Sequence, residues 1–185
     1  ILLRVLWEGL TLEQRQKCRV GLAAPTGKAA ANLEGSIRRA TQEMTGFPAI
    51  TAETLHSLLG VGRQRRQSAS MVLPYDVLLV DECSMIDARV MGQLVTAIKP
   101  GSRLIMLGDR YQLPPVEAGS LFSDLVALLE HPKESISQSL PIAVSRLTTC
   151  LRAELRDIVD LAALINDGNG TAVQMLFKNA SKDSG

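Results

Sequence analysis

Asp76-Val-Leu-Leu-Val-Asp81-Glu82-Cys83-Ser84-Met85 joins an aliphatic run to two adjacent carboxylates. Four apolar residues in a row, with no polar alternation, read as a central strand buried on both faces of a parallel sheet. Open α/β sheets bind ligands beyond the carboxyl ends of their strands, which is where Asp81 and Glu82 fall. Neighbouring side chains of a strand point to opposite sides, so the two acids can take different tasks. One can hold Mg2+, directly or through water, while the other orients or deprotonates the water that attacks a nucleotide phosphate. The alternative is an acidic strand end that caps the next helix.

Working outward, Arg103-Leu-Ile-Met-Leu-Gly108 is a second buried strand, and it ends in Gly108-Asp109. Gln112 follows, then Leu113-Pro114-Pro115-Val116, where two prolines fix the loop. With Asp81-Glu82 this makes a two-loop edge, on which Gln112 can sense a γ-phosphate or its water. On the other side, Arg19–Ala24 is a strand ended by Pro25-Thr26-Gly27, and the spacing predicts an amphipathic helix from Lys28 to about Met44. Residues 1–9 read as the back half of a helix whose apolar side chains are Leu2, Val5, Leu6 and Leu10. A short helix is expected over Thr54–Leu59, and further helices over Asp87–Ile98, Gly119–Leu129 and Glu154–Asn166. Asp87 is expected as an N-cap and Gly168 as a C-cap, and a strand is expected within Ile142–Leu151. Trp7, Met85 and Met91 read as core, His131 as surface, and residues 178–185 as a polar tail. Strand and helix alternate, so the fold class is α/β, a parallel sheet sandwiched by helices.

The composition agrees and excludes much else. The 185 residues are 46% apolar, 21% charged and 3% aromatic, so aliphatic side chains fill the core. A net charge of +1 gives no overall basic field, and any DNA contact must come from local groups. Cys18, Cys83 and Cys150 are odd in number and form no Cys-x-x-Cys pair, which argues against a disulfide framework or zinc site and for a reducing, cytoplasmic setting. The apolar start Ile1-Leu-Leu-Arg-Val-Leu-Trp7 is too short to span a bilayer and has no signal-peptide pattern. It reads as a chain that begins inside a helix, and so as a fragment.

Four ordered motifs carry a specific resemblance. Asp81-Glu82-Cys83-Ser84-Met85 resembles the Walker B motif of superfamily 1 helicases, and Gly108-Asp-x-x-Gln112-Leu-Pro-Pro-Val116 resembles their motif III. Ala24-Pro-Thr-Gly-Lys28-Ala-Ala resembles motif Ia, and Thr54-Leu-His56-Ser-Leu-Leu59 the short motif after it. Order and spacing are similar to the RecD branch, which holds both the α subunit of exodeoxyribonuclease V and stand-alone helicases.

The resemblance implies a RecA-like P-loop NTPase fold over residues 1–177, with a basic loop or small hairpin at 60–75 and the P-loop strand lying upstream of Ile1. It implies an ATP-dependent motor moving 5′ to 3′ on single-stranded DNA, in recombination and double-strand break repair, with ATP and Mg2+ as its cofactors. Nuclease activity would reside in a partner, since no nuclease carboxylate cluster is visible. The partners implied are single-stranded DNA and, in the complex, two other subunits. Position by position, Asp81 helps to hold Mg2+, Glu82 is the catalytic base, Asp109 and Gln112 meet the nucleotide, and Gln112 couples the γ-phosphate to DNA. Arg152 stands where the family has its motif IV arginine, although Ala153 replaces the usual aromatic. Pro25, Thr26, Gly27, Lys28, Thr54, His56, Pro114, Pro115 and Val116 fall at DNA-contacting positions.

Three stretches carry a second reading. Gly21-Leu-Ala-Ala-Pro-Thr-Gly27-Lys28-Ala29 approaches a P-loop, but the glycine spacing is one residue too long and Ala29 stands where Ser or Thr would bind Mg2+. A DNA phosphate held at the start of a helix suits Pro25-Thr26-Gly27 better. Arg63, Arg65 and Arg66 are either solvated surface or, functionally, a strand-separating wedge or a contact to the DNA backbone. His56 reads first as a packed histidine, because motor ATPases need no imidazole base. For the whole chain the alternative is a degenerate RecA-like module that binds DNA or protein without turnover. The fragment itself is expected to be inactive as an ATPase.

Overall fold

A computed structural model of the chain describes residues 2–60, 72–112, 121–130, 143–147 and 156–180. Two compact units result, Ile1–Ser137 and Gln138–Gly185.

The first unit is built on four parallel strands: β1 (Val20–Ala24), β2 (Ala52–Thr54), β3 (Val77–Val80) and β4 (Arg103–Met106). Their spatial order is β2-β1-β3-β4. The register sets Leu22 beside both Ala52 and Leu79, and Leu79 beside Ile105. β1 and β3 are each the apolar run expected, and period-two alternation sends their side chains to two cores. Ala23, Leu78 and Val80 face one, where α4 (Leu55–Leu58), α5 (Ala88–Ala97) and α6 (Leu121–Glu130) supply Leu55, Leu58, Val90, Met91, Leu94 and Phe122. Leu22 and Leu79 face the other, under α1 (Leu2–Glu8) and α3 (Gly27–Thr41), which supply Leu3 and Leu33. This is the helix-covered parallel sheet of a RecA-like α/β fold.

Several local expectations change. α1 is helical, but its buried positions are Leu3 and Trp7, and Val5 is 64% exposed. Trp7 is core as expected, and its ring stacks edge-on to Phe47 at 4.9 Å between centroids. The polar segment after it forms α2 (Leu12–Lys17), started by a capping box in which Thr11 and Gln14 bond each other's backbone. β2 was not expected: Ala52-Glu53-Thr54 has no strand pattern of its own and exists because β1 offers a parallel edge. Met85 is 46% exposed, whereas Met91 is buried as expected.

Arg19 and Asp76 lock the amino-terminal edge of the sheet. The Arg19 amide donates to the Asp76 carboxylate at 2.9 Å and Lys99 Nζ donates to it at 2.6 Å. These contacts, Lys99 first, hold the Asp76 carboxyl below its ordinary range. A depressed carboxylate contributes stability above its unfolded value of about 3.9, and that contribution is lost as the pH falls through the folded value. Asp76→Asn is therefore expected to lower the melting temperature at pH 7 and to narrow the gap from wild type below about pH 4. Thermal melts across pH 2 to 7 read this, and a constant gap would contradict it.

In the second unit, α7 (Arg156–Asn166) and α8 (Gly170–Ala180) pack against each other. Gly168 at φ 69° closes α7: its amide bonds Ile165 O and the Asn169 amide bonds Leu164 O, a Schellman turn that needs a left-handed residue. α8 was not expected and runs past the boundary drawn at residue 177. Residues 143–147 carry no strand, and the remainder of the strand expected at Ile142–Leu151 lies outside the described residues. Among the described residues, no helix is long and apolar enough to cross a membrane.

Candidate functional site

The strand order positions the site. From β1 the chain moves to β2 on one side, then returns past β1 to β3 and β4. The connection after β1 leaves through α3 on one face of the sheet, and that after β3 through α5 on the other. Loops that diverge in this way open a crevice at the carboxyl edge. Thr26-Gly27-Lys28 borders it after β1, Asp81-Glu82 after β3, and Asp109 to Gln112 after β4.

β3 ends at Val80, so strand alternation does not separate the two acids as the sequence suggested. Asp81 turns back, and its Oδ1 accepts the Glu82 amide at 2.9 Å. Glu82 then takes the left-handed region at φ 54° and ψ 39°, the sole non-glycine residue with positive φ among the described residues. That conformation costs about 1 kcal/mol or more and persists only where its surroundings enforce it. The enforcement is visible: Asp81 N bonds Ala23 O at 3.0 Å, Cys83 N bonds Leu107 O at 2.8 Å, and Leu107 N bonds Val80 O at 2.8 Å. Both acids remain half-buried, open enough to meet a ligand.

Behind them, Cys83-Ser84-Met85 forms a single 3-10 turn. Cys83 is fully buried, its thiol pushed up to about 12 by burial, and it is inert packing at this position. Ser84 is 1% exposed, with its Oγ 3.0 Å from Gln112 Oε1 and 3.4 Å from the Asp109 amide, which donates to it. Asp109 Oδ1 accepts the Tyr111 amide at 3.0 Å, and the Gln112 amide bonds Asp109 O at 3.1 Å, so the start of the motif III loop is a tight turn. Gly108 is obligatory beneath it, since a Cβ there would lie 2.8 Å from the Phe122 ring and 3.0 Å from the Ser84 amide. The sequence named Asp81, Glu82, Asp109 and Gln112 and missed the role of Ser84. Its one signal was a hydroxyl in an otherwise apolar turn.

On the β1 side, Thr26 caps α3 by accepting the Ala29 amide at 3.2 Å. Ala30 N is taken by Thr26 O, which leaves the Gly27 and Lys28 amides at the positive end of a fifteen-residue helix. Gly27 and Lys28 are exposed, and nothing lies within 4 Å of where a Gly27 Cβ would be. Gly21 is the second residue of β1, where an added Cβ would lie 2.8 Å from the Tyr75 ring. It serves strand packing. Thr54 caps α4 through the Ser57 amide at 3.2 Å, and His56 is exposed, which corrects the packed reading of its imidazole. Pro114, Pro115, Val116, Arg152, His131 and the Arg63, Arg65 and Arg66 cluster lie outside the described residues. No group of three or more His, Cys, Asp or Glu able to hold a metal occurs among the described residues.

Residues 3–181 match the family model described as AAA domain. The chain is 37% identical to RecBCD enzyme subunit RecD of Mycobacterium tuberculosis over 98% of its own length and 31% of that protein. It is 44% identical to RecBCD enzyme subunit RecD of Haemophilus influenzae over 66% of its length and 22% of that protein. It is 48% identical to ATP-dependent RecD2 DNA helicase of Deinococcus radiodurans over 54% of its length and 13% of that protein. The chain thus spans less than a third of the curated relatives it matches. A crystal structure of Pif1 helicase from Bacteroides superposes over 67% of this chain and 28% of that one, with a TM-score of 0.37 at 24% identity.

Proposed function

The chain belongs to the AAA domain family and is of the RecD type, and from that premise we propose that it forms the hydrolytic edge of a superfamily 1 DNA helicase motor. The observation that carries this reading is Glu82, held in a left-handed conformation beside Asp81 at the carboxyl edge of a parallel sheet. A residue that only packed or capped would not need such a conformation: the Glu82 side chain makes no cap bond to the turn that follows it, and the next α-helix, α5, uses Asp87, whose carboxylate accepts the Val90 amide.

Asp81 suits Mg2+. The ion keeps several waters and takes only one or two carboxylates alongside substrate phosphates, so a cluster of three protein ligands is not required. One oxygen of Asp81 is engaged by the Glu82 amide, which fixes the carboxylate and leaves Oδ2 to bind. When bound, the ion neutralises charge on the phosphates. Glu82 then accepts the proton of the attacking water, and Gln112 donates from its amide to the γ-phosphate or that water. The free amides of Gly27 and Lys28 bind a phosphate of single-stranded DNA, with Thr54 and His56 beside the same track.

The grip on the β and γ phosphates belongs to a P-loop elsewhere in the longer protein, not to Gly21–Ala29. β4 supports this: it is Arg103-Leu-Ile-Met with only half-buried aliphatics, and it pairs with β3 alone among the described residues. Such an edge is a template for one more parallel strand. By itself the chain is therefore expected not to turn over ATP. The longer protein is read as a 5′ to 3′ helicase of recombination and repair, acting in the cytoplasm alone or with the partner subunits that the name RecBCD denotes. Duplexes with a single-stranded tail at one end test it. ATP-dependent unwinding from a 5′ tail and not from a 3′ tail supports the reading, and the reverse polarity contradicts it.

A further inference from the structure

We propose that Ser84 is a positioning residue for hydrolysis: its buried hydroxyl selects which end of the Gln112 amide faces the nucleotide. This rests on the reading of the edge as an ATPase site. Ser84 is the one buried polar side chain among the described residues. Its Oγ accepts the Asp109 amide at 3.4 Å and lies 3.0 Å from Gln112 Oε1. A hydroxyl carries one proton, and burial requires that the proton find an acceptor. Gln112 Oε1 provides it. With the amide flipped, Gln112 would present N–H groups to Ser84 and the serine proton would be stranded. The amide oxygen is therefore tied inward, and both Nε2 protons are left on an exposed side chain.

That polarity is the one an anionic phosphate oxygen needs, because a carbonyl turned outward would repel it. Setting it before the nucleotide arrives removes a rotamer search from the reaction. The backbone keeps the relay in place. Cys83 N bonds Leu107 O at 2.8 Å, and Gly108, lacking a Cβ, lets Ser84 approach the strand-end loop. The two motifs, 28 residues apart, are thus joined through one hydroxyl.

The test is steady-state ATP turnover, at saturating single-stranded DNA, of the full-length protein that contains this chain. Four proteins are compared: wild type, Ser84→Ala, Gln112→Ala and the double variant. Ser84→Ala is expected to lower kcat about tenfold with little change in the KM for ATP, the scale of losing an outer-shell partner. In the Gln112→Ala background the same substitution is expected to have no further effect on kcat. Equal losses in both backgrounds would overturn the proposal, because a serine that merely packs is felt whether or not Gln112 is present. An unchanged kcat in Ser84→Ala would overturn it too. Any loss of folding shows in thermal melts and appears in both backgrounds, so it counts against the proposal. A wild-type protein with no ATPase activity defeats the site reading itself and the proposal with it, and it is seen before any substitution is made.

Discussion

Glu82→Gln in the longer protein is expected to reduce DNA-stimulated ATP turnover by about 10³-fold, the usual scale of removing a general base. Gln keeps the volume and the hydrogen-bonding outline of Glu and loses the proton acceptor. The backbone that holds position 82 is set by Asp81 N to Ala23 O and Cys83 N to Leu107 O, neither of which uses the Glu82 side chain. The fold, nucleotide binding and DNA binding are therefore expected to survive. Turnover measured beside equilibrium binding of a labelled ATP analogue checks both halves. A loss of turnover matched by an equal loss of nucleotide affinity would move Glu82 from catalysis to binding. Glu82→Gly gives a control of a different kind. Glycine takes positive φ freely, so it should be at least as stable as the Gln variant and equally inactive. The left-handed strain would then be a cost carried for chemistry.

Leu55→Ala is expected to remove about 3 kcal/mol of stability, enough to lower the melting temperature by about 10 °C. Leu55 is 0% exposed and lies in the core that also contains Ala23, Leu78 and Leu94. α4 is only four residues long, too short to persist by its own hydrogen bonds. Its attachment to the sheet runs through Leu55 and Leu58, so truncation also loosens the Thr54 cap and His56 beside it. The motif Thr54-Leu-His56-Ser-Leu-Leu59 thus combines a cap with an anchor: Thr54 caps α4, His56 is exposed, and the buried leucines hold the turn to the sheet. A calorimetric melt of the variant that shifts by less than about 2 °C would show that α4 is not held by this contact.

What the sequence revealed follows from how far each signal reaches along the chain. β1, β3 and β4 are apolar runs bounded by turn residues, and each was placed to within a residue or two. α5 was placed with its cap, because Asp87 sits directly before an amphipathic repeat. β2 was invisible: three residues with Glu53 at their centre become a strand only when β1 supplies hydrogen bonds. In α1 Trp7 was read as core and is buried against Phe47, a partner from a distant loop, whereas the stripe was drawn through Val5, which is exposed, in place of Leu3. The placement of Asp81, Glu82 and Gln112 beyond the carboxyl ends of β3 and β4 was legible, because the apolar runs that precede them mark the strand ends. The contact of Ser84 with Gln112 was not, since nothing local links residues so far apart. The left-handed conformation of Glu82 was equally hidden, because it is imposed by hydrogen bonds to β1 and to the segment after β4.

If this chain is the hydrolytic edge of a DNA-dependent motor, ATP turnover by the longer protein, measured with and without single-stranded DNA beside this chain alone, reveals it. Strong stimulation by DNA in the longer protein and no turnover by the isolated chain is the expected result. Single-stranded DNA binding by the longer protein with no ATP turnover under either condition would contradict it and leave a RecA-like module that binds without catalysis.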